Sequence, residues 1–229
     1  MNFNSYKEIE KKRLLKSFDY PAKLCSFLFE KYKMSEGMSL LDVGCGQGIQ
    51  SSEFANLGLK VCGVDHSKEV QFKNFEYRKI DIQNNILPYP DNSFDVVFSK
   101  SVIEHIIDPS CFLRECKRVL KPAGVLILLT PDWVTQKENF YDDPTHVHPY
   151  TRKSLRMILE MEGFYNPSSE KFIQLPFVWR FPFLRHLTNL IFLLPYCIFN
   201  IFQSIKLVRF SRHKMILGSA RKNESNRKI

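Results

Sequence analysis

Acidic residues are almost absent from the last quarter of the chain. From Lys171 to Ile229 there are 11 Lys or Arg against one acid, Glu224, whereas residues 1–170 carry 22 basic and 23 acidic side chains. The whole net charge of +9 therefore belongs to the C-terminal region, and such asymmetry points to an anionic partner, lipid head groups or nucleic acid. The six cysteines, Cys25, Cys45, Cys62, Cys111, Cys116 and Cys197, show no C-x-x-C spacing. Several lie in apolar runs, where Cys acts as a small hydrophobe. The opening "MNFNSYKEIEKKRLLK" lacks the apolar run of a signal peptide, so a reduced, cytosolic compartment is the expectation. Internal repeats and low-complexity tracts are also absent. What remains is ordinary for a globular protein, 44% apolar and 25% charged over 229 residues, enough for one sizeable domain and an appendage.

Residues 5–33 carry helical signals interrupted at Pro21, with an apolar stripe through Leu24, Phe27, Leu28 and Phe29. Short apolar runs follow, "SLLDVG", "LKVCGVD", "FDVVFSK" and "GVLILLTP", which read as buried strands separated by helical segments. In "DPSCFLRECKRVL" Asp108 is a natural N-cap and Pro109 suits the first helical position. Phe112, Leu113, Cys116, Val119 and Leu120 repeat on one face. Alternating strand and helix with near-continuous apolar strands predicts an α/β fold with a mostly parallel sheet covered on both faces. Ligands of such sheets bind at the C-terminal strand ends.

At the first of those ends stands "LLDVGCGQG". Gly44, Gly46 and Gly48 allow a tight turn and close approach of backbone to a ligand. They are spaced i, i+2, i+4, with Ile49 at i+5, which disfavours a dinucleotide pyrophosphate site. Asp65 ends the second strand, where an acid can take ribose hydroxyls. Asp81 ends the third candidate strand, "FEYRKID", placed to meet an adenine edge.

These segments, together with "KIDIQNNILPYPDNSFDVVFSKSVIEHI" and "FLRECKRVLKPAGVLILLTP", resemble the class I S-adenosylmethionine-dependent methyltransferases, in the broad group that includes the quinone-biosynthesis enzymes. The resemblance covers about residues 38–165. It implies a Rossmann-like, seven-stranded, mostly parallel sheet with its last strand antiparallel, and S-adenosyl-L-methionine as cofactor. It also implies that Asp42 and Gly44 hold the methionine end of the cofactor, with Cys45, Gly46 and Gly48 in the same turn. Asp65 takes the ribose, Asp81 and Ile82 the adenine, and Ser99 lies beside the reacting methyl.

Acceptor chemistry falls on histidines. Glu104 and His105 follow the fourth strand. Ubiquinone-type O-methyltransferases carry a Glu-x-x-Glu-His metal motif here, but Ser101 takes the place of the first Glu, so the expectation is no metal. After the fifth strand, "YDDPTHVHPYTRKSL" places His146 and His148 two apart, on one side of an extended segment. A metal cluster of this pair with Asp142 or Asp143 is conceivable. By resemblance a His in this loop lines the acceptor pocket. His146 is the leading catalytic or acceptor-contacting residue, with His105 second and His148 and Tyr150 behind as substrate contacts. Loop-ordering roles for all of them are the alternative.

The stretch Leu187–Ile205 holds 19 residues without a charge, flanked on both sides by Arg and Lys. That is near the minimum of about 20 for a membrane-spanning helix, but Pro195 interrupts it and the basic flanks set no direction. The family pattern places strands at "KFIQLP", 171–176, and "HKMILGSARK", 213–222. The apolar stretch is then a helical insertion before the closing strand, beside the active site. In helical register Asn189, Tyr196, Asn200 and Gln203 form a narrow polar stripe, which suits an element lying in a membrane interface. A re-entrant hairpin, a helical cap or a dimer face uses the same residues.

The expected organisation is an N-terminal helical segment (1–37), a cofactor-binding core (38–176), the apolar and basic insertion (177–212), the closing strand (213–222) and a polar tail (223–229). The expected activity is methyl transfer to a small-molecule or lipid-linked acceptor, a lipid-linked sugar or another membrane-presented lipid, at the cytoplasmic face of an anionic membrane. A homo-oligomer is compatible with this. Nucleic acid is disfavoured, because the aromatic residues of the tail lie in apolar runs and do not alternate with basic ones. The alternatives are a soluble small-molecule or RNA methyltransferase, and a non-catalytic cofactor-binding subunit that anchors a partner.

Overall fold

A computed structural model of the chain describes residues 19–224 apart from 68, 69, 73, 84, 85, 194, 196–198, 200 and 203. Seven strands form one sheet in the order β3-β2-β1-β4-β5-β7-β6: β1 (Ser39–Val43), β2 (Lys60–Asp65), β3 (Glu76–Lys79), β4 (Phe94–Lys100), β5 (Leu120–Pro131), β6 (Tyr165–Phe172) and β7 (Met215–Arg221). The first five pair in parallel. β7 runs antiparallel to both neighbours, β5 and β6. The expected mixed seven-stranded sheet is the one found.

Side-chain alternation along the strands divides the core between the two faces. Leu41, Val43, Val97, Leu126 and Ile216 meet Leu113 and Cys116 of helix α3 (Pro109–Val119) and Leu155 and Leu159 of α5 (Arg152–Met161). Leu40, Val96, Phe98, Ile127 and Leu217 meet Leu24 and Leu28 of α1 (Asp19–Lys31) and Phe54 of α2 (Ile49–Asn56). Helix α3 begins as its sequence requires: Asp108 accepts from the Cys111 amide at 2.9 Å, and Pro109 is the first helical residue. Pro21 lies within α1, close to the start of the described residues. Residues 5–18 lie outside the described residues.

Two strand expectations need correction. β3 stops at Lys79, so Asp81 lies two residues past its end. The sixth strand is Tyr165–Phe172, not 171–176, and only its last residues overlap the expected span. Its sequence, "YNPSSEKF", is polar and contains Pro167, which suits only an edge strand. It occupies the sheet edge, with a register irregularity between Tyr165 and Ser168. At Ile173 the chain leaves the sheet.

The connection from β6 to β7 forms α6 (Pro176–Arg180), a turn at Pro182–Leu184, α7 (Arg185–Phe192) and α8 (Lys206–Arg212). Helices α7 and α8 pack on each other. Ile173, Leu175 and Val178 make a small separate core with Leu184, Leu207 and Phe210. Trp179 ties this unit to the main body: its indole N–H donates to the Ile173 carbonyl at 2.7 Å, and its ring stacks on Phe172, 5.1 Å between centroids. Because Phe172 and Pro131 both pair with Met215, the unit leaves and rejoins the sheet at the C-terminal end of β5.

Candidate active site

The turn after β1 is shaped by glycine where nothing else fits. Gly44 has φ +80°, and a Cβ there would collide with Val102 in the loop after β4. Gly46, at φ +55°, faces open space, and a Cβ on it would meet nothing within 4 Å. Gly48, at φ +81°, starts α2 beneath the ring of Phe75. Gly44 and Cys45 donate their amides to the Val64 carbonyl at 2.8 and 3.1 Å, which ties the turn to β2.

Two buried carboxylates stand behind the turn. Asp65 accepts from the Gly46 amide at 2.9 Å through Oδ2 and from the Ser67 amide at 2.9 Å through Oδ1. Asp42, 2% exposed, accepts from the Ser51 hydroxyl at 2.6 Å. Burial pushes the Asp42 carboxyl up to about 7, against the lowering effect of the Ser51 bond, and the nearby Asp65 charge adds to the rise. The charge of Lys100, at the end of β4, offsets part of this rise. The Cys45 thiol is pushed up by burial and by Asp42, so it is no nucleophile.

The remaining cofactor-side residues lie around this turn. Ser99 is buried, and its hydroxyl donates to the Val43 carbonyl at 2.8 Å, which locks the ends of β1 and β4 together. Asp81 is exposed and accepts from the Gln83 amide at 3.1 Å. Ile82 is half-buried against the main core.

On the expected acceptor side two loops meet. The amides of Val147 and His148 donate to the Glu104 carbonyl at 2.8 and 3.1 Å. This pins the loop after β5 onto the short turn Ile103–His105 after β4. His105 and His146, 41 residues apart in sequence, then lie 4.6 Å apart between ring centroids. Each Nδ1 is spoken for. His146 Nδ1 is 2.6 Å from the Phe140 carbonyl, which can only accept, so that nitrogen carries the proton. The Thr145 hydroxyl donates to Asp143 at 2.6 Å and therefore accepts from His105 Nδ1 at 2.8 Å. In the neutral form of either ring, the open lone pair is then on Nε2. Asp143 is held below the usual carboxylate range by the Thr145 hydroxyl and amide, which outweigh its desolvation.

His148 faces away from this pair, with Nε2 3.2 Å from the Ile107 carbonyl. Tyr150 is buried, its carbonyl accepts from the Trp133 amide at 2.9 Å, and its hydroxyl has no protein partner. The His146, His148 and Asp142 or Asp143 grouping considered from sequence does not form. The side chains that do converge are Glu104, His105 and His146.

Sequence reasoning missed the aromatic wall beside them. Phe140 lies 4.4 Å from His146 and packs edge-on to Trp133 and Tyr141. It also missed Lys100, at the end of β4. Burial lowers the Lys100 ammonium, and the charges of Glu104 and Asp42 raise it again. The only sequence signal for either was proximity to the strand ends.

Sheet order, glycine turn and paired acids together define the fold of class I methyltransferases. Solved structures agree on the fold. The S-adenosylmethionine-dependent methyltransferase of Archaeoglobus fulgidus superposes with a TM-score of 0.61 at 22% identity, covering 88% of this chain and 94% of that one. Phosphoethanolamine N-methyltransferase 2 of Haemonchus contortus, solved with S-adenosyl-L-methionine, gives 0.62 at 19% identity, over 87% of this chain and 52% of that one. Residues 41–128 match the family model described as a methyltransferase domain, and over this region the chain is similar to S-adenosylmethionine-dependent methyltransferases. The chain is 34% identical over 134 residues to a protein of Mycolicibacterium smegmatis named as an S-adenosylmethionine-dependent methyltransferase, covering 56% of this chain and 52% of the relative. It is 37% identical over 105 residues to the ubiquinone biosynthesis O-methyltransferase of Caulobacter vibrioides, covering 42% and 41%. The matched region thus spans about half, or less, of each relative's length.

Proposed function

We propose that the protein transfers the methyl group of S-adenosyl-L-methionine to a small-molecule acceptor held against the His105–His146 corner. The observation that carries this reading is the Gly44–Gly48 turn, open at Gly46 and backed by the buried pair Asp42 and Asp65. Asp42 and Gly44 hold the methionine end, where the cofactor's ammonium adds a second cation to the one that Lys100 supplies to Asp42. Cys45, Gly46 and Gly48 form the backbone cradle, Asp65 takes the ribose, and Asp81 with Ile82 borders the adenine. Ser99 keeps the strand ends beneath the methyl in register. In the reaction the S–CH3 bond breaks as a bond from methyl to acceptor forms, leaving S-adenosylhomocysteine. The chain's contribution is in-line alignment. Any proton on the acceptor atom leaves toward the corner formed by His146 and His105, with His148 and Tyr150 bordering the acceptor loop.

The finer reading is that the acceptor is lipid-linked and presented at an anionic, cytoplasmic membrane surface. No helix among the described residues is long and apolar enough to cross a membrane. Helix α7 nevertheless directs its apolar side outward: Leu187, Leu190 and Leu193 are 44%, 66% and 76% exposed, while Thr188 is fully buried. Asn189, from the polar stripe read in the sequence, accepts from the buried Lys214 ammonium at 3.1 Å. Tyr196, Asn200 and Gln203 lie outside the described residues. Phe183, Ile201 and Ile205 are also exposed, with Arg180, Arg185 and Lys206 among them. An apolar patch rimmed by basic residues suits a peripheral contact with anionic lipid.

Calorimetry with S-adenosylmethionine and S-adenosylhomocysteine tests the first reading. Saturable binding of both is expected, and no binding at millimolar ligand would end it. Flotation with neutral and anionic liposomes tests the second. Preferential flotation with anionic lipid is expected, and its loss in the triple variant Leu187→Gln/Leu190→Gln/Leu193→Gln. A dimer in solution that this variant dissociates, with no flotation, would assign the patch to self-association.

A further inference from the structure

The acceptor corner holds one more donor than a histidine pair needs. Glu104 is fully buried. Its Oε2 accepts from the Thr130 hydroxyl at 2.9 Å, but Oε1 has no hydrogen-bond partner in the protein. A buried carboxylate oxygen without a donor costs folding energy, and native proteins rarely leave one in place without a use.

One carboxylate oxygen of Glu104 and one ring nitrogen each of His105 and His146 lie within 4.8 Å of one another. Atoms bound to one ion at about 2.1 Å stand roughly 3–4 Å apart, so side-chain rotations of about 1 Å would close the set. The orientation that metal-binding imidazoles need is already in place: each Nδ1 donates to a fixed oxygen, the Phe140 carbonyl or the Thr145 hydroxyl, and each Nε2 is left as the ligand. Such outer partners set the tautomer and strengthen the ligand. Asp143, behind Thr145, adds negative charge on the His105 side. The opposing cation is Lys100, which interacts electrostatically with Glu104 without a hydrogen bond to it.

We infer that Glu104, His105 and His146 bind one divalent first-row transition cation, with coordination positions left open toward the acceptor. Two imidazoles and one carboxylate favour Zn2+, Mn2+, Fe2+ or Co2+ over the oxygen-seeking Mg2+ and Ca2+. The set is this chain's own. Ser101, at the place of a first carboxylate in the motif after β4, is exposed and in left-handed backbone at φ 56°, and the third ligand comes from the loop after β5 instead. Only the role of the open positions, which would hold an acceptor oxygen and lower its pKa, rests on the methyl-transfer reading. Cation binding does not.

The test uses full-length protein stripped with EDTA. Titration with Zn2+ by calorimetry, and with Co2+ by visible absorption, is expected to show one site, with a Zn2+ Kd of micromolar or tighter. Glu104→Gln, His105→Ala and His146→Ala should each weaken Zn2+ binding by about 100-fold or more, and His186→Ala, on exposed α7, should not. Retained S-adenosylhomocysteine binding shows that a variant is folded; should the wild type bind no S-adenosylhomocysteine, circular dichroism serves instead and the metal titration is still read. No saturable site in the wild type would overturn the proposal. So would a site of unchanged affinity in folded Glu104→Gln and His146→Ala.

Discussion

The glycine turn after β1 and the hairpin between β6 and β7 emerge at the same end of the sheet and are built on opposite rules. Around the turn, polar groups are buried and answer one another: Ser51 on Asp42, and the Gly46 and Ser67 amides on Asp65. On the hairpin, apolar groups are exposed, and the polar Thr188 and Lys214 are turned inward. A buried carboxylate that Lys100 compensates only in part suits a ligand small enough to enter. An apolar stripe without a cover waits for a surface. The difference separates a site for a soluble cofactor from a site for something broad.

The strongest break in that comparison comes from Asp65. Asp65→Ala leaves the Gly46 and Ser67 amides without an acceptor and removes the carboxylate proposed to take the ribose. Hydrogen bonds to a charged group are worth about 1.5–3 kcal/mol each, so cofactor affinity should fall at least ~100-fold by calorimetry while flotation is unchanged. An unchanged affinity would mean that the turn does not hold the cofactor.

Asp42 tests the buried charge by pH. Its carboxyl is raised from 3.8 to about 7 in the folded protein, so between those values the folded state holds a proton that the unfolded state has released. Stability from this group is complete below pH 4 and is lost as pH rises through 7. Relative to Asp42→Asn, the cofactor-free wild type should lose about 2–4 kcal/mol over that window, read from urea midpoints at several pH values. Parallel profiles for the two proteins would show that the carboxylate is already compensated.

The hairpin offers the converse. In the triple variant Leu187→Gln/Leu190→Gln/Leu193→Gln, stability should change by about 0.5 kcal/mol or less per site, and cofactor affinity should not change. Liposome partitioning should fall by roughly 100-fold, as about 1 kcal/mol of transfer energy is lost at each position. A loss of several kcal/mol in stability would place the stripe against protein and dissolve the contrast.

How much of this could be read in advance follows the same division. The turn is local: Gly44, Gly46 and Gly48 within five residues, with Asp65 at the next strand end, carry their own geometry. The cap at Asp108 and the outward escape of the hairpin were legible for the same reason. The acceptor corner was not. His105 and His146 meet only because two amides from the loop after β5 find the Glu104 carbonyl, a pairing across more than forty residues that no spacing encodes. β6 was misplaced because an edge strand with one apolar end and Pro167 lacks the alternation of a buried one.

The smallest effect lies where the two regions touch. Lys214 is buried at the root of the hairpin. Its ammonium donates to Asn189 at 3.1 Å and lies 4.9 Å from the centre of the Phe192 ring, and its carbonyl accepts from Gln136 at 2.6 Å, on the short helix Trp133–Gln136 beside the acceptor wall. Burial already lowers the Lys214 ammonium. Asn189→Ala removes its acceptor and should cost about 1 kcal/mol in urea unfolding, with cofactor affinity and flotation both intact. Because Asn189 anchors the hairpin through Lys214 while the leucines supply its exposed apolar face, this variant separates the anchoring of the hairpin from its use. If flotation fell with Asn189→Ala as it does with the leucine variant, the hairpin's orientation on the core, and not its apolar face alone, would govern the membrane contact.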